Sequence, residues 1–360
     1  MPNMTTARRD GLYLLLVGGL VFILLGTVLA SHSSVSMVDF RSLYYPARCL
    51  IQHADPYNVN EVLRIFQAEG GDHQGDPAVI RQAVTLYVNT PSAFCLTVPF
   101  ALMPWGPAHF LWMALTVGGL AFASFLIWNL GAEYAPILSG ALIGFFLANS
   151  EVLIIVGNLS GIAISLCVVS VWCFLRNRFV WAGILCLAIS LAIKPHDAAL
   201  VWLYFLLAGG AFRKRAWQTL LATIAVGLPG VLWVWHSAPG WIGEWRANLA
   251  MLSARGGIAD PGPTATGGHG LNMVVNLQAV ISIFRDDPRV YNPISYLVCA
   301  PLLVAWAIYT LRHRPTPKTA SLALAAIAAL SMLPIYHREY DTKLLLLTVP
   351  ACAILWAEGG

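Results

Sequence analysis

Leu12-Tyr-Leu-Leu-Leu-Val-Gly-Gly-Leu-Val-Phe-Ile-Leu-Leu-Gly-Thr-Val-Leu-Ala30 is followed, after a short polar stretch, by Asp39-Phe-Arg-Ser-Leu-Tyr-Tyr45. The first run carries no charge and has the length of a helix crossing a bilayer, for which roughly 20 apolar residues are needed. Arg8 and Arg9 precede it, so positive-inside bias puts the N-terminus in the cytoplasm. The same pattern can imitate a signal peptide, but the many apolar runs downstream favour a retained anchor.

Those runs set the class. The 360-residue chain is 58% hydrophobic and only 11% charged, with a mean hydropathy of +0.70. A soluble domain has a far more polar composition, and the expectation is an all-α polytopic membrane protein. The net charge of +4 is spread as short basic clusters between apolar runs. That distribution serves topology rather than nucleic-acid binding, which needs a concentrated basic face. Of seven cysteines, Cys95, Cys167, Cys173, Cys186, Cys299 and Cys352 lie in or beside apolar runs, and Cys49 lies in the first loop. None forms a close metal-ligand pair, and no disulfide framework is indicated.

Further spans are expected near 107–129, 136–153, 159–175, 179–194, 197–211, 217–236, 293–311, 319–336 and 342–357. With the N-terminal span they make about ten. Residues 91–104 are too short for a comfortable crossing and read as a partial helix or hairpin. Leaving them out of the count puts Arg176-Asn-Arg178, Arg213-Lys-Arg215 and Arg312-His-Arg314 all on the cytoplasmic side, as positive-inside bias requires. The chain then reads as one integral-membrane domain over 1–360, with long extracytoplasmic loops at 31–90 and 237–292.

The first loop is more than a tether. Phe40, Leu43, Tyr44, Ala47 and Leu50 recur at helical spacing, predicting an interfacial helix over 39–51. Ala54-Asp-Pro-Tyr-Asn58 predicts a turn and 61–69 a short helix, with an exposed loop at 70–77. The 237–270 connection is rich in Gly and Pro and reads as a lid or a loose tether, with a short helix over 270–284 after it. The chain closes on Trp356-Ala-Glu-Gly-Gly360 directly after an apolar segment, an ending compatible with truncation.

Polar residues between spans are the candidates for chemistry. Asp39 is the leading general base, because a carboxylate in a partly apolar setting can take a proton from an attacking alcohol; helix capping or pairing with Arg41 is the structural alternative. Arg41 suits phosphate or lipid headgroups. Tyr44 and Tyr45 suit interfacial packing or sugar contact, and Asp55 and Tyr57 an acceptor pocket or an ordinary turn. Lys194, closing an apolar segment before Pro195, can neutralise a departing phosphate or reach to headgroups. His196 can hydrogen-bond to sugar or phosphate, and Asp197 can orient it or pair with Lys194. In His337-Arg-Glu-Tyr-Asp341, Arg338 offers bidentate phosphate contacts and His337 a bond or a proton; the alternative is a self-satisfied charged turn. Glu151 and Asn158 are weaker candidates, as a second carboxylate and a sugar ligand. There is no P-loop, dinucleotide fingerprint or HExxH motif, and no close oxygen-ligand set in sequence points to a divalent ion.

This order of motifs resembles the integral-membrane glycosyltransferases that use polyprenyl-phosphate sugars. The likeness is to the bacterial polyprenyl-phosphate-mannose-dependent mannosyltransferases of glycosyltransferase family 87. It is carried by Asp39-Phe-Arg-Ser-Leu-Tyr-Tyr-Pro46, Ala54-Asp-Pro-Tyr57, Thr90-Pro91, Pro104, Gly157-Asn158, Lys194-Pro195 and His337-Arg-Glu-Tyr340. Asn158 stands where that family often has glutamine. The resemblance implies a GT-C fold in the bacterial plasma membrane and an extracytoplasmic site with Asp39 as base. Arg41, Tyr44, Tyr45, Asp55, Tyr57, Asn158, Lys194, His196, His337, Arg338 and Tyr340 would lie around the substrates. It implies a polyprenyl-phosphate sugar donor and a lipid or glycan acceptor; with no ligand motif in the sequence, no cofactor or metal is expected. A lipid-sugar flippase would need alternating access and repeated halves, which the sequence does not display. A ligase or polymerase of lipid-linked glycans would differ in whether the donor carries one sugar or a chain.

Overall fold

The computed structural model describes residues 4–33, 36–71, 77–263 and 274–359. Among them there is no strand, only a single bridge between Val274 and Arg338. The helices are α1 Met4–His32, α2 Val38–Ile51, α3 Val59–Ala68, α4 Pro77–Thr85, α5 Phe94–Ala101, α6 Trp105–Gly131, α7 Pro136–Ala148, α8 Val152–Val156 and α9 Ser160–Arg176. They continue with α10 Val180–Ile193, α11 Pro195–Ala208, α12 Gly210–Ser237, α13 Trp241–Leu252, α14 Leu277–Ser282, α15 Pro288–Arg312, α16 Pro317–Ser331 and α17 Val349–Ala357.

Five stretches are long and apolar enough to cross a membrane: α1, α6, α7 with α8, α12 and α15. Shorter apolar helices of 10–17 residues, among them α9, α10, α11 and α16, lie between them. The chain is an all-α polytopic membrane protein. Its exposed large side chains follow from that solvent: Leu16, Leu20, Leu24 and Val28 of α1 all face outward.

The buried side of α1 is Ala7, Gly11, Leu15, Gly18, Phe22 and Gly26, a stripe at three- and four-residue spacing. It lies along α7, where Gly140 and Gly144 are also four apart. A Cβ on Gly18 would stand 2.2 Å from the Gly144 carbonyl oxygen, and one on Gly140 would stand 2.0 Å from that of Gly11. Lipid tails give helices no hydrophobic reason to associate, so close backbone approach through small residues holds this pair.

Local chemistry sets several boundaries. Pro195 disfavours helical geometry at the residue before it; Lys194 takes φ −149°, ψ 76° and breaks α10 from α11. Gly157 ends α8 at φ +68°, and a Cβ there would also meet the Met37 sulfur at 2.9 Å.

Some expected boundaries move. The helix at 91–101 stops well short of a crossing, as expected. α12 begins at Gly210, so Arg213, Lys214 and Arg215 ride its first turns instead of forming a loop. There Arg215 Nη1 donates to the Phe174 carbonyl at the end of α9, 2.9 Å away. The expected helix over 342–357 is a 3-10 helix, Asp341–Thr348, followed by α17. Pro350 has no N–H to continue an α-helical ladder through that junction.

Part of the connection read as lid or tether, α13, is helical. Asn248 of α13 donates to the Tyr57 and Tyr87 carbonyls at 2.9 and 3.1 Å, and Trp245 Nε1 donates to the Val88 carbonyl at 2.8 Å. That part is fastened to the first loop. Residues 72–76 of the expected exposed loop and 264–273 of the connection, with His269, lie outside the described residues.

The first loop carries its own core. Phe40 stacks on Trp112 and Trp105 with ring centroids 4.5 and 5.4 Å apart, and Trp112 Nε1 donates to the Gly157 carbonyl at 2.9 Å. α2 is thereby packed into the fold, and its first turn is fixed against the α8–α9 junction.

Candidate active site

Asp39 sits in that first turn, where a helix N-terminus favours negative charge. The preceding Met37 adopts a left-handed conformation, and its N–H donates to the Ile155 carbonyl at 2.6 Å. This clamp brings Asp39 beside Asn158, whose Nδ2 donates to Asp39 Oδ2 at 2.6 Å. Burial pushes the Asp39 carboxyl above its ordinary value, against the lowering effect of the Asn158 bond and of the Arg338 and Lys194 charges.

From Asn158 a polar chain runs inward. Ser160 Oγ is 2.6 Å from both Asn158 Oδ1 and Asp341 Oδ1, and has one proton to give to one of them at a time. Lys194 Nζ donates to Ser160 Oγ, reaches Asp341 Oδ1 at 2.5 Å and stands 3.5 Å from Asp197 Oδ2. Two buried carboxylates therefore share one buried lysine. Two cations approach the Tyr340 ring, Lys194 Nζ at 4.9 Å and Arg338 Cζ at 5.9 Å from its centroid.

A cavity of about 510 Å³ opens over this network, within the range of ligand-binding pockets. Asp39, Asn158, Lys194, His196, Tyr336, Arg338 and Tyr340 line it. Leu43, Leu86, Ile193, Leu249 and Leu252 supply an apolar wall. The turn carrying Arg338 is held from outside by backbone bonds from Val275 N to the His337 carbonyl, 2.7 Å, and from Leu277 N to the Leu333 carbonyl, 3.0 Å. Carboxylate, cations and apolar wall together suit an amphiphile with an anionic head and a partner hydroxyl.

Other candidates fall elsewhere. Arg41 packs over the Trp105 ring at 5.3 Å, and Tyr44 donates to the Met103 carbonyl at 2.8 Å. Tyr45 is buried against Phe66 and Trp105. Asp55 accepts from the Tyr57 N–H at 2.8 Å as a turn residue, and buried Tyr57 donates to the Asn89 carbonyl at 2.8 Å. All five serve loop packing, and none lines the cavity. His337 is fully buried and is not among the lining residues. Ser160, Asp341 and Tyr336 join the site without having been singled out. Asp341 carried a signal, as part of a charged cluster at a span edge; Ser160 carried none.

Comparison with known proteins adds one match: the model of glycosyltransferase family 87 fits residues 87–335. No curated protein and no solved structure matches the chain.

Proposed function

Because the chain belongs to glycosyltransferase family 87, we propose that it transfers one sugar, mannose in the first instance, from a polyprenyl-phosphate donor to an alcohol of a lipid or glycan acceptor. The reaction takes place at the extracytoplasmic face of a bacterial plasma membrane. The observation that carries this reading is the placement of Asp39 in one cavity with Lys194 and Arg338. Asp39 precedes the matched stretch, so its role rests on geometry.

Asp39 takes the proton of the acceptor hydroxyl as that oxygen bonds to the anomeric carbon, and the bond from that carbon to the phosphate oxygen breaks. Lys194 and Arg338 stabilise the negative charge that develops on the departing polyprenyl phosphate. Attack from the face opposite the phosphate inverts the anomeric centre. The apolar wall accommodates the first isoprene units while the rest of the tail stays in lipid.

The test uses the purified full chain with polyprenyl-phosphate mannose and a membrane-lipid extract, with products identified by mass. Wild type is expected to yield a mannosylated lipid. Asp39→Asn is expected to lose transfer by 10²- to 10⁴-fold, about the contribution of a general base, while still binding donor. Near-normal turnover by Asp39→Asn would reject Asp39 as the base.

A further inference from the structure

Beneath the cavity, the first turn of α11 and the turn that leads from α16 into the 3-10 helix bring together four side chains the transfer chemistry leaves unused: His196, Asp197, His337 and Asp341. One donor atom from each lies within 4.8 Å of those of the other three. His337 Nδ1 is 3.5 Å from Asp341 Oδ2 and 3.7 Å from Asp197 Oδ1, and His196 Nε2 is 3.7 Å from Asp197 Oδ1. Asp197 and His337 are almost wholly enclosed. Yet both Asp197 oxygens, both His337 ring nitrogens and His196 Nε2 lack a hydrogen bond of ordinary geometry. Groups of this kind are expensive to bury unsatisfied.

Lys194 does not account for them. It pairs with Asp341 Oδ1 and approaches Asp197 Oδ2. Asp341 Oδ2 accepts from the Arg338 N–H at 2.8 Å and keeps a second lone pair 3.5 Å from His337 Nδ1, and Asp197 Oδ1 stands 3.7 Å from both imidazoles. Zinc–nitrogen and zinc–oxygen bonds of about 2.0–2.2 Å place tetrahedral donors roughly 3.3–3.6 Å apart. Three of the six donor separations, at 3.5–3.7 Å, are close to that geometry, and the other three, within 4.8 Å, contract as the side chains close on an ion. Two imidazoles with two carboxylates favour a first-row divalent ion over magnesium or calcium, which prefer oxygen alone.

We propose that His196, Asp197, His337 and Asp341 form a zinc-class divalent metal site in the cavity floor, beside Lys194. His196 is partly exposed to the cavity and gives the ion its way in. The occupied site adds positive charge behind Lys194, where the transfer reading puts the donor phosphate. That effect on transfer rests on the proposed function, whereas occupancy of the site does not.

The test is metal binding by the full chain, purified in detergent on a tag without histidines, loaded with Zn²⁺ and desalted. Wild type is expected to retain about one zinc per chain, and Co²⁺ in its place is expected to give the intense visible absorption of a tetrahedral site. His196→Ala, altered at the cavity wall, should stay monodisperse and bind zinc more weakly by more than the roughly 10- to 100-fold that loss of an outer-shell partner costs. Asp39→Asn should keep its zinc. Monodisperse wild type that takes up no zinc, or whose zinc is unchanged in His196→Ala and Asp197→Asn, would overturn the site. Zinc held by wild type and lost from His196→Ala, without sugar transfer to any acceptor, would keep the site and retire the transfer reading.

Discussion

Asn158 Nδ2 donates to Asp39 Oδ2 across 2.6 Å, although 119 positions separate the two residues. The bond favours the ionised carboxylate, while burial favours the protonated one and prevails. A base works only when ionised, so transfer should fall as pH drops through the raised folded-state pKa. Asn158→Ala removes a lowering influence, and the acid limb of kcat/KM against pH should move to higher pH. An unmoved limb in Asn158→Ala would mean that another group controls it.

The same burial predicts a stability trade at Asp39. A carboxyl with its folded pKa raised above the unfolded 3.8 contributes stability below that value and loses it as pH rises through the folded pKa. Near neutral pH the charge is a burden that Asn does not carry. Asp39→Asn should therefore melt at the same temperature or higher at pH 7.5 while being inactive. A clear drop in its melting temperature would contradict the direction of the shift.

Lys194 should behave in the opposite way. Lys194→Met strips the cation from Asp341 and Asp197, both buried, and breaking such a pair typically costs about 3–5 kcal/mol. Adding Asp341→Asn removes one orphaned charge, so the double variant should recover part of the lost stability but none of the transfer. Additive losses in thermal denaturation would show that the pair is not coupled.

Neighbouring glycines in α1 offer an internal control. A Cβ on Gly18 collides with the Gly144 backbone, whereas on Gly19 its nearest neighbour is Leu147 Cδ1 at 3.9 Å. Gly18→Leu should sharply reduce the monodisperse fraction in size-exclusion chromatography, by at least the 1–3 kcal/mol of ordinary overpacking, and Gly19→Leu should not. Equal behaviour of the two would argue against the α1–α7 contact.

The membrane class, the shortness of 91–101 and the helix carrying Asp39 were legible because each follows from local apolar length or period. Asp39, Asn158, Lys194 and Arg338 were legible as polar interruptions of apolar sequence. Tyr44, Tyr45 and Tyr57 stayed ambiguous for a physical reason: an amphipathic ring suits a sugar, an interface and a packed loop alike, and only the fold shows which neighbours it meets. Ser160 was invisible, since a serine opening a helix is ordinary until Lys194 and Asp341 close on it. The His–Asp cluster was equally hidden, because His196 and His337 come from distant parts of the chain.

The glycine seam between α1 and α7 also sets an order of events during biogenesis. α1 leaves the ribosome first, but the surface it docks on belongs to helices made far later. With 119 positions separating Asp39 from Asn158 and synthesis at about 5–20 residues per second, the carboxylate waits roughly 6–24 seconds for its partner. In that interval α6 and then α7 join the newborn anchor, and the cavity is complete only once the turn carrying Arg338, beyond α16, has been made.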